Sequence, residues 1–92
     1  MKKAKTKTAT TNKAVAALEE AFAECQDSSK FGHYSLECAC HGEHISIHIM
    51  GVQPKGYRTM LRYLGQIRTD DAYLIGTLSL RLMQISAQTL TD

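Results

Sequence analysis

Long hydrophobic runs, an even number of cysteines and several common catalytic motifs are missing from this sequence of 92 residues. Because no run of about 18 apolar residues occurs, a transmembrane helix is not expected. The basic N-terminal stretch has no apolar segment behind it, so it is not expected to be a secretory signal, and we predict a cytoplasmic protein. Three cysteines cannot form a complete disulfide framework, and all three can remain thiols in a reducing compartment.

Signatures of catalysis are also absent from the sequence. It contains no GxSxG, phosphate-loop or HExxH motif. Cys40 is the candidate thiol nucleophile, but neighbouring strand residues point to opposite faces, which aims His41 away from it. A chain this short also leaves little room for a deep substrate cleft. We therefore predict a binding protein, not an enzyme, with no catalytic residues and no cofactor.

Positive charge is concentrated near the N-terminus. Four of the eleven lysines and arginines lie within the first seven residues, and the remaining seven are outnumbered by nine acidic residues. Residues 1–11 have no apolar periodicity, so we predict a flexible basic tail there. Residues 12–92 are predicted to form a single α+β domain.

Residues 12–26 have the periodicity of a helix. Val15, Leu18, Phe22 and Cys25 recur on one stripe, and three glutamates lie off it. Cys25 belongs to the apolar stripe, so it is expected to act as a small buried hydrophobe.

Residues 33–50 alternate as two strands of a β-hairpin. A two-residue turn at 41–42, with glycine second, would place Cys38 opposite Ile45. The core face would then carry Tyr34, Leu36, Cys38, Ile45, Ile47 and Ile49. The other face would carry His33, Ser35, Glu37, His44, Ser46 and His48.

The hairpin sequence CACHGEHISIH contains residue types that ligate zinc. However, the hairpin puts Cys38 on the face opposite His44 and His48, and about 13 Å of strand separates the two histidines. We therefore predict no metal site. A weak pair such as His33 with His48 leaves a metal-responsive hairpin as one alternative function.

Two further helices are predicted in the C-terminal half. Residues 57–68 have helical spacing of their apolar residues, although Gly65 lowers helix stability by about 1 kcal/mol relative to alanine. Residues 69–90 open on Thr-Asp-Asp, which favours a helix start. A strand is the alternative for residues 72–86, because leucines also alternate there and Gly76 disfavours a helix. The predicted fold is thus α+β: an N-terminal helix, a central antiparallel hairpin and two C-terminal helices packed on it.

The segment 55–68 carries the predicted binding site. It holds four positive charges and no acidic residue. In a helix, Lys55, Arg58, Arg62 and Gln66 would lie along one stripe, away from the apolar side that carries Met60, Leu61 and Leu64. Arginines beside an aromatic residue suit phosphates and acidic protein surfaces. The alternative is an ordinary solvated face that pairs with glutamates of the first helix. The predicted partner-binding residues are Lys55, Arg58, Arg62, Tyr63, Gln66 and Arg68.

In size and make-up the whole chain resembles the small anti-CRISPR inhibitors of phages: one small domain, a lysine-rich start and no catalytic motif. The resemblance implies a protein that blocks a CRISPR effector by docking on it, with Lys55, Arg58, Arg62 and Arg68 facing the target. We therefore predict a non-enzymatic inhibitor or adaptor that docks on a nucleoprotein complex or an acidic protein. A nucleic-acid-binding regulator is the second alternative.

Overall fold

The structure is a computed structural model, which describes the backbone of residues 2–25 and 31–91 and the side chains of residues 9–25 and 31–88. Its elements are α1 (Lys2–Cys25), β1 (His33–His41), β2 (His44–Val52), β3 (Arg58–Arg68), a single 3-10 turn (Thr69–Asp71) and α2 (Tyr73–Thr91). The strands form one antiparallel sheet in the order β1-β2-β3. The α+β class is therefore confirmed, but its layout differs from the predicted one.

The core lies between one face of the sheet and the two helices. Helix α1 packs on β3 and α2 packs on β1, and the two helices contact each other. The apolar stripes of α1 and α2 face inward, as the helical period requires. The buried core residues include Leu18 and Phe22 of α1, Ile45, Ile47 and Ile49 of β2, and Leu78 and Leu82 of α2. Cys25 is partly buried against this core.

The hairpin forms as predicted, but its turn lies one residue further along the chain. His41 pairs with His44, so the turn residues are Gly42 and Glu43, and Cys38 lies opposite Ile47 instead of Ile45. Gly42 has a φ of 64°, while no non-glycine residue has a positive φ among the described residues. A turn with glycine in the first central position fits this geometry. Because the pairing shifts by two residues, the predicted sorting of side chains between the two faces is unchanged.

The segment predicted as a third helix is a strand, and this prediction was wrong. Strand β3 contains two register shifts against β2, between Ile47 and His48 and between Ile49 and Met50. Each shift inserts one extra residue, which turns the strand period of two into a local spacing of three. Leu61, Leu64 and Ile67 therefore all pack against the core from an extended chain. The same spacing of three imitates a helix in the sequence.

Both terminal helices differ from the prediction at their first residues. Helix α1 begins at Lys2, so residues 2–11, predicted as a tail, belong to the helix. Six of these ten residues are lysine or alanine, which are good helix formers, and the other four are threonines, which are weaker ones. Helix α2 confirms the helix prediction over the strand alternative. Its expected start at Thr69 forms a 3-10 turn that has no side-chain capping hydrogen bond.

A cluster of aromatic rings closes the end of the core nearest the start of β1. The ring of Tyr34 meets Phe22 at a centroid distance of 4.9 Å and Phe31 at 5.8 Å, both edge to face. The Phe31 ring lies on Gly51, where an added Cβ would come within 2.8 Å of ring atoms. Gly51 is therefore needed for Phe31 to reach the core.

Candidate binding face

The two helices cover one face of the sheet, and no described element packs on the other. We call this second surface the open face. Antiparallel partners share a face, so the register assigns its members. They are His33, Ser35, Glu37, Ala39, His41, His44, Ser46, His48, Met50, Val52, Arg58, Met60, Tyr63, Gln66 and Arg68.

An aromatic pair lies at the middle of the open face. The rings of Tyr63 and His48 are 5.0 Å apart and inclined by 45°. His48 lies in the central strand, and the register shift beside it is what brings Tyr63 opposite. Because Tyr63 remains 55% exposed, one side of its ring is available to a partner.

An ion pair crosses the open face from one edge strand to the other. The Arg58 guanidinium lies 3.2 Å from the Glu37 carboxylate, and β2 runs between their strands. Met50 of β2, on the same face, is only 6% exposed, whereas its partner Met60 of β3 is 59% exposed. The open face therefore offers the accessible apolar side chain of Met60 together with the Arg58–Glu37 ion pair.

Weaker polar contacts continue towards the far end of β3. Gln66 donates a hydrogen bond of 3.4 Å from its amide to the Ser46 hydroxyl. The Arg68 guanidinium lies 3.8 Å from the Asp70 carboxylate. The Arg58–Glu37 pair involves two half-exposed side chains, and in the Arg68–Asp70 pair the carboxylate is largely exposed. Such pairs contribute only about 0–1 kcal/mol each, so a partner's anionic groups could replace the internal carboxylates at little cost.

The predicted site residues do not share one surface. Arg58, Tyr63, Gln66 and Arg68 lie on the open face, whereas Arg62 lies on the helix side, where it pairs with Glu24 of α1. The predicted alternative, in which the basic residues pair with glutamates of the first helix, therefore applies to Arg62 and not to the four residues on the open face.

Lys55 belongs to neither face. It lies exposed in the connection between β2 and β3, which a 2.8 Å hydrogen bond from the Gly56 amide to the Gln53 carbonyl closes as a turn. The helical stripe predicted to carry Lys55, Arg58, Arg62 and Gln66 is thus wrong.

Two accessible side chains were missed by sequence reasoning. The helix predicted over residues 57–68 would bury Met60 and Tyr57 on its apolar side, but they are 59% and 68% exposed. Leu61 and Leu64 face the core as predicted. A strict strand alternation from Arg58 would have placed Met60, Gln66 and Arg68 outside, but it would have misplaced residues 62–64, which lie between the two register shifts.

A shallow groove runs along the seam between α1 and β3. Its volume is about 220 Å³, and it is lined by Ala17, Glu20, Ala21, Glu24, Arg62, Tyr63 and Leu64. Small-molecule sites usually measure about 300–1,000 Å³, so this groove is undersized for a drug-sized ligand.

The thiol and histidine groups are dispersed. Among the described residues, no three histidine, cysteine, aspartate or glutamate side chains come together as a metal site would require. Burial raises the pKa of the Cys25 thiol, against a smaller opposing effect of the Arg62 charge. Partial burial, together with the Glu37 charge, also raises the pKa of Cys38. Raised thiol pKa values disfavour the thiolate that a nucleophile or metal ligand needs.

Neither helix, over its described residues, combines the length and the apolar character that crossing a membrane requires. Comparison with protein-family models, curated proteins and solved structures finds no match to this chain.

Proposed function

We propose that this chain is a non-enzymatic inhibitor or adaptor that docks through its open face on an acidic surface of a protein or nucleoprotein partner. One observation carries the proposal: an uncovered sheet face on which half-exposed Tyr63 and Met60 stand beside Arg58 and Arg68. Tyrosine, methionine and arginine are the residue types enriched at the centres of protein interfaces.

Charge supports an acidic partner. The segment from Lys55 to Arg68 contributes four positive charges and no carboxylate. Two of these charges, on Arg58 and Arg68, lie on the open face, Lys55 lies exposed in the connection between β2 and β3, and Arg62 faces α1. Complementary potential of this kind raises the association rate and fixes orientation more than it adds affinity. The apolar contacts of Tyr63 and Met60 would then supply most of the binding energy.

The partner we propose first is a nucleoprotein of the CRISPR-effector class, which the resemblance to anti-CRISPR inhibitors implies. A small protein can inhibit such a complex simply by occupying a surface that the complex needs. The mode of action is stoichiometric and involves no chemical step.

The test is affinity capture from lysate of the host cell, with and without nuclease, using three variants. Tyr63→Ala and Arg58→Gln remove open-face groups and should weaken capture of the partner about tenfold or more, as loss of an interface anchor does. Arg62→Gln is the matched control, because it also removes one half-exposed arginine–glutamate pair from β3 but on the helix side. Equal loss in all three variants, or none, would reject the open face as the docking surface.

A nucleic-acid-binding regulator is the second candidate. It is favoured by the Tyr63–His48 ring pair beside Arg58, because single-stranded bases stack on exposed aromatic rings next to cationic groups. This candidate predicts binding of naked single-stranded RNA or DNA that weakens steeply as salt rises. Retention of a partner after nuclease treatment, without binding of either naked nucleic acid at low salt, would eliminate it.

A further inference from the structure

The two edge strands of the sheet, β1 and β3, differ in how readily they could pair with a further strand. Strand β3 carries two register shifts, a Gly65 with φ of 123° and three arginines. Bulges and edge charges are the features by which natural sheets prevent edge-to-edge association. The β1–β2 ladder, by contrast, runs without a break from His33 to His41, and β1 contains no lysine, arginine or proline. Edge β1 therefore lacks the protection that β3 has.

The last residues of β1 are also uncovered on both sides. Cys38 and Cys40 point to the helix side of the sheet, yet both are exposed, so neither helix covers this end of the strand. Ala39 and His41 are exposed on the other face. A second strand could therefore lie beside residues 37–41 without colliding with α1 or α2.

We propose that residues 37–41 of β1 pair with the same residues of a second copy of this chain. The pairing is antiparallel and has a two-fold axis at Ala39. In this register Glu37 of each copy lies opposite His41 of the other, and Cys38 lies opposite Cys40. An imidazole N–H can donate a hydrogen bond to the carboxylate opposite it, whereas like charges directly opposite each other destabilise a sheet.

Neighbouring registers are less favourable. An axis at Glu37 places two carboxylates opposite each other, which costs stability. An axis at Cys38 places Glu37 opposite Ala39 and loses both glutamate–histidine pairs. The sequence of this short segment is thus self-complementary in one register. Because the paired segment is short, its interface falls well below the roughly 1,200–2,000 Å² of stable complexes, and we expect a weak dimer that forms at high protein concentration.

Analytical ultracentrifugation under reducing conditions tests the association. The wild-type chain should show a concentration-dependent dimer. Ala39→Lys places two ammonium groups opposite each other at the axis and should weaken the dimer about tenfold or more. Thr59→Lys is the matched control, since it adds the same charge to an exposed position of the other edge strand, and it should associate like wild type. Circular dichroism checks that all three chains fold.

Oxidative trapping tests the register. Directly opposed residues have Cα atoms about 4.5–5.5 Å apart, which is within disulfide range. Diamide, which accepts the two thiol hydrogens, should therefore produce a dimer whose peptide map shows Cys38 joined to Cys40. The Cys40→Ser variant should lose this product. Monomeric behaviour of the wild type up to millimolar concentration, unchanged association of Ala39→Lys, or an exclusive Cys38–Cys38 or intrachain bond would each overturn the proposal.

Discussion

Substitution of Gly65 by alanine distinguishes a strand from a helix at residues 58–68 by the sign of the stability change. In a helix, alanine in place of glycine would raise the free energy of unfolding by about 1 kcal/mol. In the observed strand Gly65 has a φ of 123°, which side chains with a Cβ rarely adopt, although no atom lies within 4 Å of the added Cβ. The cost is therefore one of backbone strain alone, and we expect Gly65→Ala to lower the free energy of unfolding by about 1–3 kcal/mol.

Gly76 provides the matched control within the same chain. It lies inside α2, it is exposed, and its added Cβ also meets no atom within 4 Å. We expect Gly76→Ala to stabilise the protein by about 1 kcal/mol, which for a domain of this size raises the melting temperature by about 4–8 °C. Urea unfolding followed by circular dichroism, together with thermal melts, measures both variants. Stabilisation by Gly65→Ala of the same size as by Gly76→Ala would refute the extended conformation of β3.

Four further outcomes follow from the packing of the core. Gly51→Ala should destabilise the protein by about 1–3 kcal/mol, because the new Cβ would overlap the Phe31 ring; a melting temperature equal to that of wild type would contradict the placement of this ring. Ile49→Ala should cost about 2–5 kcal/mol in urea unfolding, since Ile49 is fully buried in the central strand. Iodoacetamide should alkylate the exposed Cys40 faster than Cys25, whose pKa is raised by burial. The stability that the protonated Cys25 thiol contributes is present below its ordinary pKa and is lost as pH rises through the raised pKa, so urea midpoints of wild type should fall more than those of Cys25→Ala at alkaline pH.

The spacing of apolar residues predicted the helices and strands in which a single period continues along the whole element. The stripes of α1 and α2 keep the helical period, and the hairpin strands keep strict alternation, so their core faces were predicted correctly apart from Cys38, which is exposed near the end of β1. The turn was misplaced by one residue because Gly42 can occupy either central position of a two-residue turn, and the side-chain pattern alone does not distinguish the two.

The candidate site was predicted only in part because it lies on the strand with the irregular register. Two extra residues in β3 place Leu61, Leu64 and Ile67 on the core side at a spacing of three, which a sequence pattern cannot separate from a helix. The residue types were informative, since four of the six predicted residues share the open face. Their arrangement depends on pairing with β2. The unpaired backbone groups at the edge of that strand favour an extended conformation of residues 58–68 over a local helical preference.

The register shifts of β3 connect the two proposals and also make them separable. One shift brings Tyr63 beside His48 on the open face, and both shifts interrupt the edge of β3, which leaves β1 as the regular edge of the sheet. The proposed docking residues Arg58, Met60, Tyr63 and Arg68 belong to β3, on the far side of β2 from β1, whereas the proposed dimer uses the outward backbone groups and the Glu37 and His41 side chains at the end of β1. A partner on the open face would therefore leave residues 38–41 accessible, and two copies joined through β1 would present two docking faces on the same side of one continuous sheet. Binding of a repetitive nucleoprotein by such a pair would gain from effective concentration even though the dimer itself is weak.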